Sequence, residues 1–145
     1  MQILTEVLGM SLPGSATIPA VYAEKERFAT QTGRRIVELV KENIKPKDIL
    51  TREALLNGVI VTMAIAGSTN AVLHLLSFAR EAGVELSLDD FDKLSESIPV
   101  ISKVIPTGKA TIVDLYNAGG VPAILGEMKD YLHRDCITVS GHTIG

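Results

Sequence analysis

The sequence predicts an α/β segment that is mainly helical, with little strand, and two observations carry that reading. Apolar residues recur at helical spacing along most of the 145 residues, between Gly, Pro and Ser/Thr punctuation. Only Cys136-Ile137-Thr138-Val139 has the β-branched character of a strand.

Gln2 to Gly9 reads as a short helix stopped by Gly9, and Pro13-Gly14-Ser15 as the turn after it. From Ala20 to Asn43, Val21, Phe28, Ala29, Thr32, Ile36, Leu39, Val40 and Ile44 fall roughly on one stripe. Glu24, Lys25, Arg34, Arg35, Glu38 and Lys41 fall mostly off it. Gly33 weakens this helix and could divide it in two, and Pro46 closes it. Thr51 is a good N-cap for a helix running to about Ala66. That helix has almost no polar face. It is too short for a bilayer, which needs about 20 apolar residues, so protein must surround it. One small domain can only just do that, so a larger parent or an oligomer is expected.

Gly67-Ser68-Thr69-Asn70 interrupts the pattern, and Ala71 to Ala82 forms the next helix, with Leu75, Leu76, Phe78 and Ala79 available for burial. Gly83 stops it. Ser87 caps Leu88 to Ser95, whose first turn carries Asp89 and Asp90 where the helix dipole favours them. Pro99 to Ile105 is a short extended candidate. Thr111 to Asn117 and Val121 to Tyr131 are helical, parted by Gly119-Gly120. Both ends look cut rather than finished, and there is no internal repeat or linker.

Composition narrows the function classes. A net charge of −3 offers nothing to a nucleic acid, and 4% aromatic residues without Trp leave no base-stacking platform. The lone Cys136 excludes an internal disulfide framework and cannot by itself hold an iron–sulfur cluster or a structural zinc. The N-terminus has no basic region followed by an apolar run, so no membrane partner is expected and a cytoplasmic location is.

Five blocks, in order, carry a resemblance. They are Met1 to Ser15; Thr32-Gly33-Arg34-Arg35-Ile36-Val37 with Lys45 to Thr51; Ala66-Gly67-Ser68-Thr69-Asn70-Ala71-Val72-Leu73-His74-Leu75; Leu88 to Asp92; and Asn117 to Ala123. Together they resemble an internal stretch of the dihydroxy-acid dehydratase / 6-phosphogluconate dehydratase family, with Ala66 replacing the first Gly of its Gly-Gly-Ser-Thr-Asn signature. Pro13 to Val37 is at least as similar to the sugar-acid dehydratases. The resemblance implies that residues 1–145 are a partial N-terminal domain, the helical part of a larger layered α/β domain. It implies a hydro-lyase that dehydrates a 2,3-dihydroxy or sugar acid to a 2-keto acid, with an iron–sulfur cluster as Lewis acid, magnesium holding the substrate and a serine base. In the family pattern the cluster and magnesium ligands precede Met1 and the serine follows Gly145. No cofactor is therefore expected in this segment, and no catalytic residue or metal ligand.

The candidate site residues are Gly67, Ser68, Thr69 and Asn70. Their N–H groups and hydroxyls could face a substrate carboxylate or phosphate at a helix N-terminus; plain capping is the ordinary alternative. Asp89, Asp90 and Asp92 suggest a cation, but no Gly or distal Glu completes a calcium loop. His74, in an apolar helix, reads as a hydrogen-bonded structural histidine rather than a catalytic base, and the role of His142 is unreadable. Pro13 to Thr17 and Thr107 to Thr111 lack the spacing of a phosphate loop and read as turns. Arg34-Arg35 could bind an acidic substrate, with an exposed helix face as the ordinary explanation.

Three functions compete. The first is a dehydratase segment, inactive alone, whose partners are a small hydroxy acid and either the remaining parent chain or further copies. The second is a helical interaction or assembly module without chemistry. The third, a complete small enzyme, lacks a visible nucleophile–base pair or metal cluster.

Overall fold

The all-apolar stretch organises the molecule. In a computed structural model describing residues 1–145, eight helices hold 55% of the chain. They are α1 (Gln2–Val7), α2 (Ala23–Glu42), α3 (Pro46–Ile49), α4 (Arg52–Ala64), α5 (Asn70–Ala82), α6 (Leu88–Ser97), α7 (Ile112–Asn117) and α8 (Gly120–Glu127). Thr51 caps α4 by accepting a hydrogen bond from Ala54 N at 3.2 Å. Packed on α1, α5 and α6, α4 is buried along nearly its whole length. Leu55 and Val59 face one cluster with Leu4, Leu8, Leu75 and Phe91. Ile60, Val61 and Ala64 face another with Val7, Val121, Ile124 and Met128. Gly58 allows the close approach: a Cβ there would lie 3.0 Å from Leu75 Cδ2 and 3.2 Å from Leu8 Cδ2. The chain thus encloses α4 by its own elements, so the burial of this helix does not by itself call for a larger parent or an oligomer.

The apolar surface that remains bare lies elsewhere. α2 is one unbroken helix through Gly33, not two, because an isolated Gly costs a helix only about 1 kcal/mol and 19 other residues hold it. It ends at Asn43, whose φ of 58° is left-handed, so Pro46 does not close it but opens α3. Of the predicted stripe only Leu39 is buried; Ile36 and Val40 are 56% and 75% exposed, and Val37, outside that stripe, is 52% exposed. α2 makes no extensive contact with another helix. It is held at its start, where the Tyr22 and Tyr116 rings meet edge to face at 5.8 Å and Tyr116 donates to Glu24, and at Arg35.

Strand is scarcer than predicted. Cys136 to Val139 forms no ladder, only an isolated antiparallel bridge of Ile137 with Thr143. A turn at Gly141 (φ 86°) folds the segment on itself, and Val139 N donates to Gly9 O at 2.7 Å instead of to a neighbouring strand. Pro99 to Ile105 likewise contributes only the bridge of Val104 with Ala110. The other predicted helices stand, with α6 extending to Ser97 and α8 ending at Glu127.

Candidate functional site

Gly67 to Asn70 join the end of α4 to the start of α5. Gly67 N donates to Thr62 O at 2.8 Å and Ala66 N to Met63 O at 3.1 Å, the paired bonds of a Schellman motif. That motif needs a left-handed residue at the position of Ala66, which sits at φ 50° without being glycine. Gly67 lies against the same turn, where a Cβ would meet Thr62 O and Thr62 Cγ2 at 3.0 Å.

The first N–H groups of α5 are already engaged. Asn70 N donates to Ser68 Oγ at 3.2 Å, Ala71 N to Ser68 O at 2.8 Å and Val72 N to Thr69 O at 3.1 Å. Local capping therefore accounts for the backbone here. The side chains of Ser68, Thr69 and Asn70 are exposed, and Thr69 and Asn70 spend no side-chain hydrogen bond within the chain. The four residues line none of the larger clefts. The chemistry left to them is that of two hydroxyls and an amide on an open surface.

The other predicted candidates separate. Asp90 accepts from Ser87 N at 2.8 Å in a capping box and pairs with Arg52 at 2.8 Å, leaving Asp89 and Asp92 exposed without it. Ser87 first, then Arg52, holds its carboxyl below the usual range. His74 is exposed and has no hydrogen-bond partner, which corrects its reading as a bonded structural histidine: it points off the face of α5 that Leu75 buries. His142 is exposed and bonded through its backbone alone: its N–H donates to Ser140 Oγ at 3.2 Å, and its carbonyl accepts from Thr138 N at 2.9 Å and Thr138 Oγ1 at 3.0 Å. Thr107 to Gly108 turn beneath Lys103, and Thr111 caps α7 with Asp114.

Two polar residues, Glu6 and Asn57, were missed in the sequence, and a third, Arg35, does more than its sequence reading gave it. Glu6, 5% exposed, accepts from Gly14 N at 2.6 Å and from Ala16 N at 2.8 Å, which pins the Pro13–Ser15 turn. Burial pushes its carboxyl up, against the pull of those two N–H groups and of Lys25. A lone acid between Leu4, Val7 and Leu8, followed by Pro13-Gly14, was the available signal. Fully buried Asn57 exchanges two bonds with the His133 backbone, at 2.9 and 2.8 Å, and its amide lies 3.6 Å from Cys136 Sγ. Arg35 is no plain exposed charge: it donates to Val139 O and forks onto the Glu42 carboxylate at 2.7 and 2.6 Å.

Glu6 also floors a cleft of about 360 Å³ between α8 and the C-terminal turn, with Ser11, Lys129, Arg134 and Thr143 on its walls. No three His, Cys, Asp or Glu side chains converge as metal ligands would. Cys136 is buried, and burial above all raises its thiol pKa. No helix is long and apolar enough to cross a membrane.

The family model for the dihydroxy-acid/6-phosphogluconate dehydratase N-terminal region matches residues 1–145. The chain is 53% identical over its full length to a dihydroxy-acid dehydratase of Pyrococcus abyssi. It is 52% identical over its full length to one of Halothermothrix orenii and 49% to one of Pyrococcus furiosus. It spans 27% of the length of each of these relatives.

Proposed function

Because the chain belongs to the dihydroxy-acid/6-phosphogluconate dehydratase N-terminal family, we propose that it serves as one portion of a cytoplasmic hydro-lyase. That enzyme removes water from a 2,3-dihydroxy or sugar acid to give a 2-keto acid, and these 145 residues have no turnover by themselves. One observation carries this reading: 53% identity runs along the whole chain, yet the match spans only 27% of the relative.

The family resemblance implies an iron–sulfur cluster that would act as Lewis acid on the departing hydroxyl and a magnesium ion that would hold the substrate. The residues present do not fit either group, since Cys136 is single and buried and no carboxylate cluster converges. What this chain contributes is scaffold. α4 and its two apolar clusters hold the α4–α5 junction in place, and Ser68, Thr69 and Asn70 offer uncharged donors and acceptors to the hydroxy acid.

The test is a chimera. Replacing the matched residues of the Pyrococcus abyssi relative with this chain is expected to preserve dehydration of a 2,3-dihydroxy acid. The isolated chain, reconstituted with iron, sulfide and magnesium, is expected to gain neither cluster absorbance nor turnover. A folded, inactive chimera or an active isolated chain would overturn the proposal. Within an active chimera, Asn70→Ala should raise KM more than it lowers kcat; an unchanged KM removes Gly67 to Asn70 from the substrate site.

A further inference from the structure

We propose that the bare face of α2 is where the rest of the parent polypeptide docks, through an apolar segment from outside residues 1–145. This rests on the reading of the chain as one portion of a larger enzyme. The chain spans 27% of the length of its relatives, so most of such a polypeptide lies outside it. α2 carries 20 residues and so is about 30 Å long, yet it makes no extensive contact with another helix. On a 3.6-residue repeat Phe28 and Leu39 lie in the sector turned toward the chain's own loops, with Leu39 buried. Ile36, Ala29, Val40 and Gly33 occupy the next sector, all exposed and with no charged residue among them. Arg27, Arg34, Glu38 and Lys41 fall on the far side, which is the part of α2 suited to water. The apolar stripe is thus wider than the contact that α2 makes within the chain.

A groove beside this sector gives the docking segment an anchor point. Ile36 stands at the boundary and walls the groove with Met10, Leu12, Leu39, Ile44 and Ile49. The space between them, about 200 Å³, holds one large aliphatic or aromatic side chain, the kind of anchor that dominates docking energies. Val40, 75% exposed, carries the apolar surface outward from there. Gly33 has no atom within 4 Å of where a Cβ would stand, so a partner can approach the helix closely at that point. Area favours a tethered partner over a free one. One helix face offers less than the roughly 800 Å² per partner of a standard interface between separate proteins. Within one polypeptide the second surface is already present at an effective concentration of about millimolar, and contacts between domains of one chain can be as small as about 600 Å². A face too small to gather a free partner is therefore large enough for a tethered one.

The test uses the chimera with the Pyrococcus abyssi relative beside the isolated chain. Val40→Cys, on an exposed position that leaves the core untouched, should be alkylated freely in the isolated chain. In the chimera its alkylation should be slower by about tenfold or more, because access there requires local opening; mass spectrometry of the peptide that carries it gives both rates. A benzophenone side chain in place of Val40 should cross-link within one chain, to a residue outside the matched segment. Equal alkylation rates, or cross-links that join two chains, would overturn the proposal. Dehydration measured on the same chimera separates this inference from the reading it rests on. An active chimera whose residue 40 is freely alkylated overturns the docking alone, whereas a folded, inactive chimera with residue 40 protected overturns the dehydratase reading alone. If the chimera does not fold, a cysteine at the matching position of the unmodified relative carries the same readout.

Discussion

Ala66 stands where the Schellman turn after α4 needs a left-handed residue, and its φ of 50° makes Ala66→Gly a direct measure of what that turn costs. An L-residue in the left-handed region is penalised by about 1–2 kcal/mol relative to glycine. Glycine gives back about 0.4–1 kcal/mol through the greater freedom of the unfolded chain. The neighbouring bonds, Ala66 N to Met63 O and Gly67 N to Thr62 O, involve only backbone and survive the change. Ala66→Gly should therefore stabilise the fold by about 0.5–1 kcal/mol, a rise in Tm of about 2–4 °C for a chain of this size. Thermal and urea denaturation followed by circular dichroism measure it, and Ala66→Val, β-branched in the same conformation, should move the opposite way. If Ala66→Gly leaves stability unchanged or lowers it, the left-handed turn is not what shapes the α4–α5 junction.

Gly120 sits at φ 63° with Thr17 Oγ1 only 2.4 Å from where a Cβ would go, and Thr17 is 2% exposed. Gly120→Ala should cost about 2–4 kcal/mol, and adding Thr17→Ala should restore part of it; strictly additive losses in a double-mutant cycle would refute the contact. Glu6 has its carboxyl raised by burial. A folded-state value above the unfolded one means that its contribution is fully present below the ordinary carboxylate pKa and is lost as pH rises through the raised value. Glu6→Gln should therefore flatten the stability–pH profile between about pH 4.5 and neutral, at the expense of one bond to the Pro13–Ser15 turn, and an unchanged slope would count against the assignment.

Legibility in the sequence followed how local the cause was. Thr51, Ser87, Thr111 and Gly83 act within four residues of themselves, so the ends of α4, α5, α6 and α7 could be read from them directly. The run from Cys136 to Val139 has strand-like residues, but a strand needs a partner, and Gly9 and Thr143 supply single contacts rather than a ladder. For α2, periodicity marks an apolar stripe without saying what meets it, and most of that stripe meets nothing in this chain. For α4 the pattern showed a helix in need of cover but not its source: α1, α5, α6 and α8 supply that cover within the chain. Of the site, the order Gly67-Ser68-Thr69-Asn70 was visible as a helix boundary and as a family signature. The prior engagement of its backbone by Ser68 and Thr69 depends on geometry that residue order does not carry.

Because α4 belongs to both apolar clusters, its residues answer to neighbours on opposite sides at once. A substitution on α5 can be absorbed by a matching change across one contact, whereas a change in girth along α4 displaces both halves of the core together. Divergence within this fold should accordingly be slowest along Leu55 to Ala64 and quickest on helices that face a single neighbour. Gly58, flanked by Leu8 and Leu75, is the point where drift has least room.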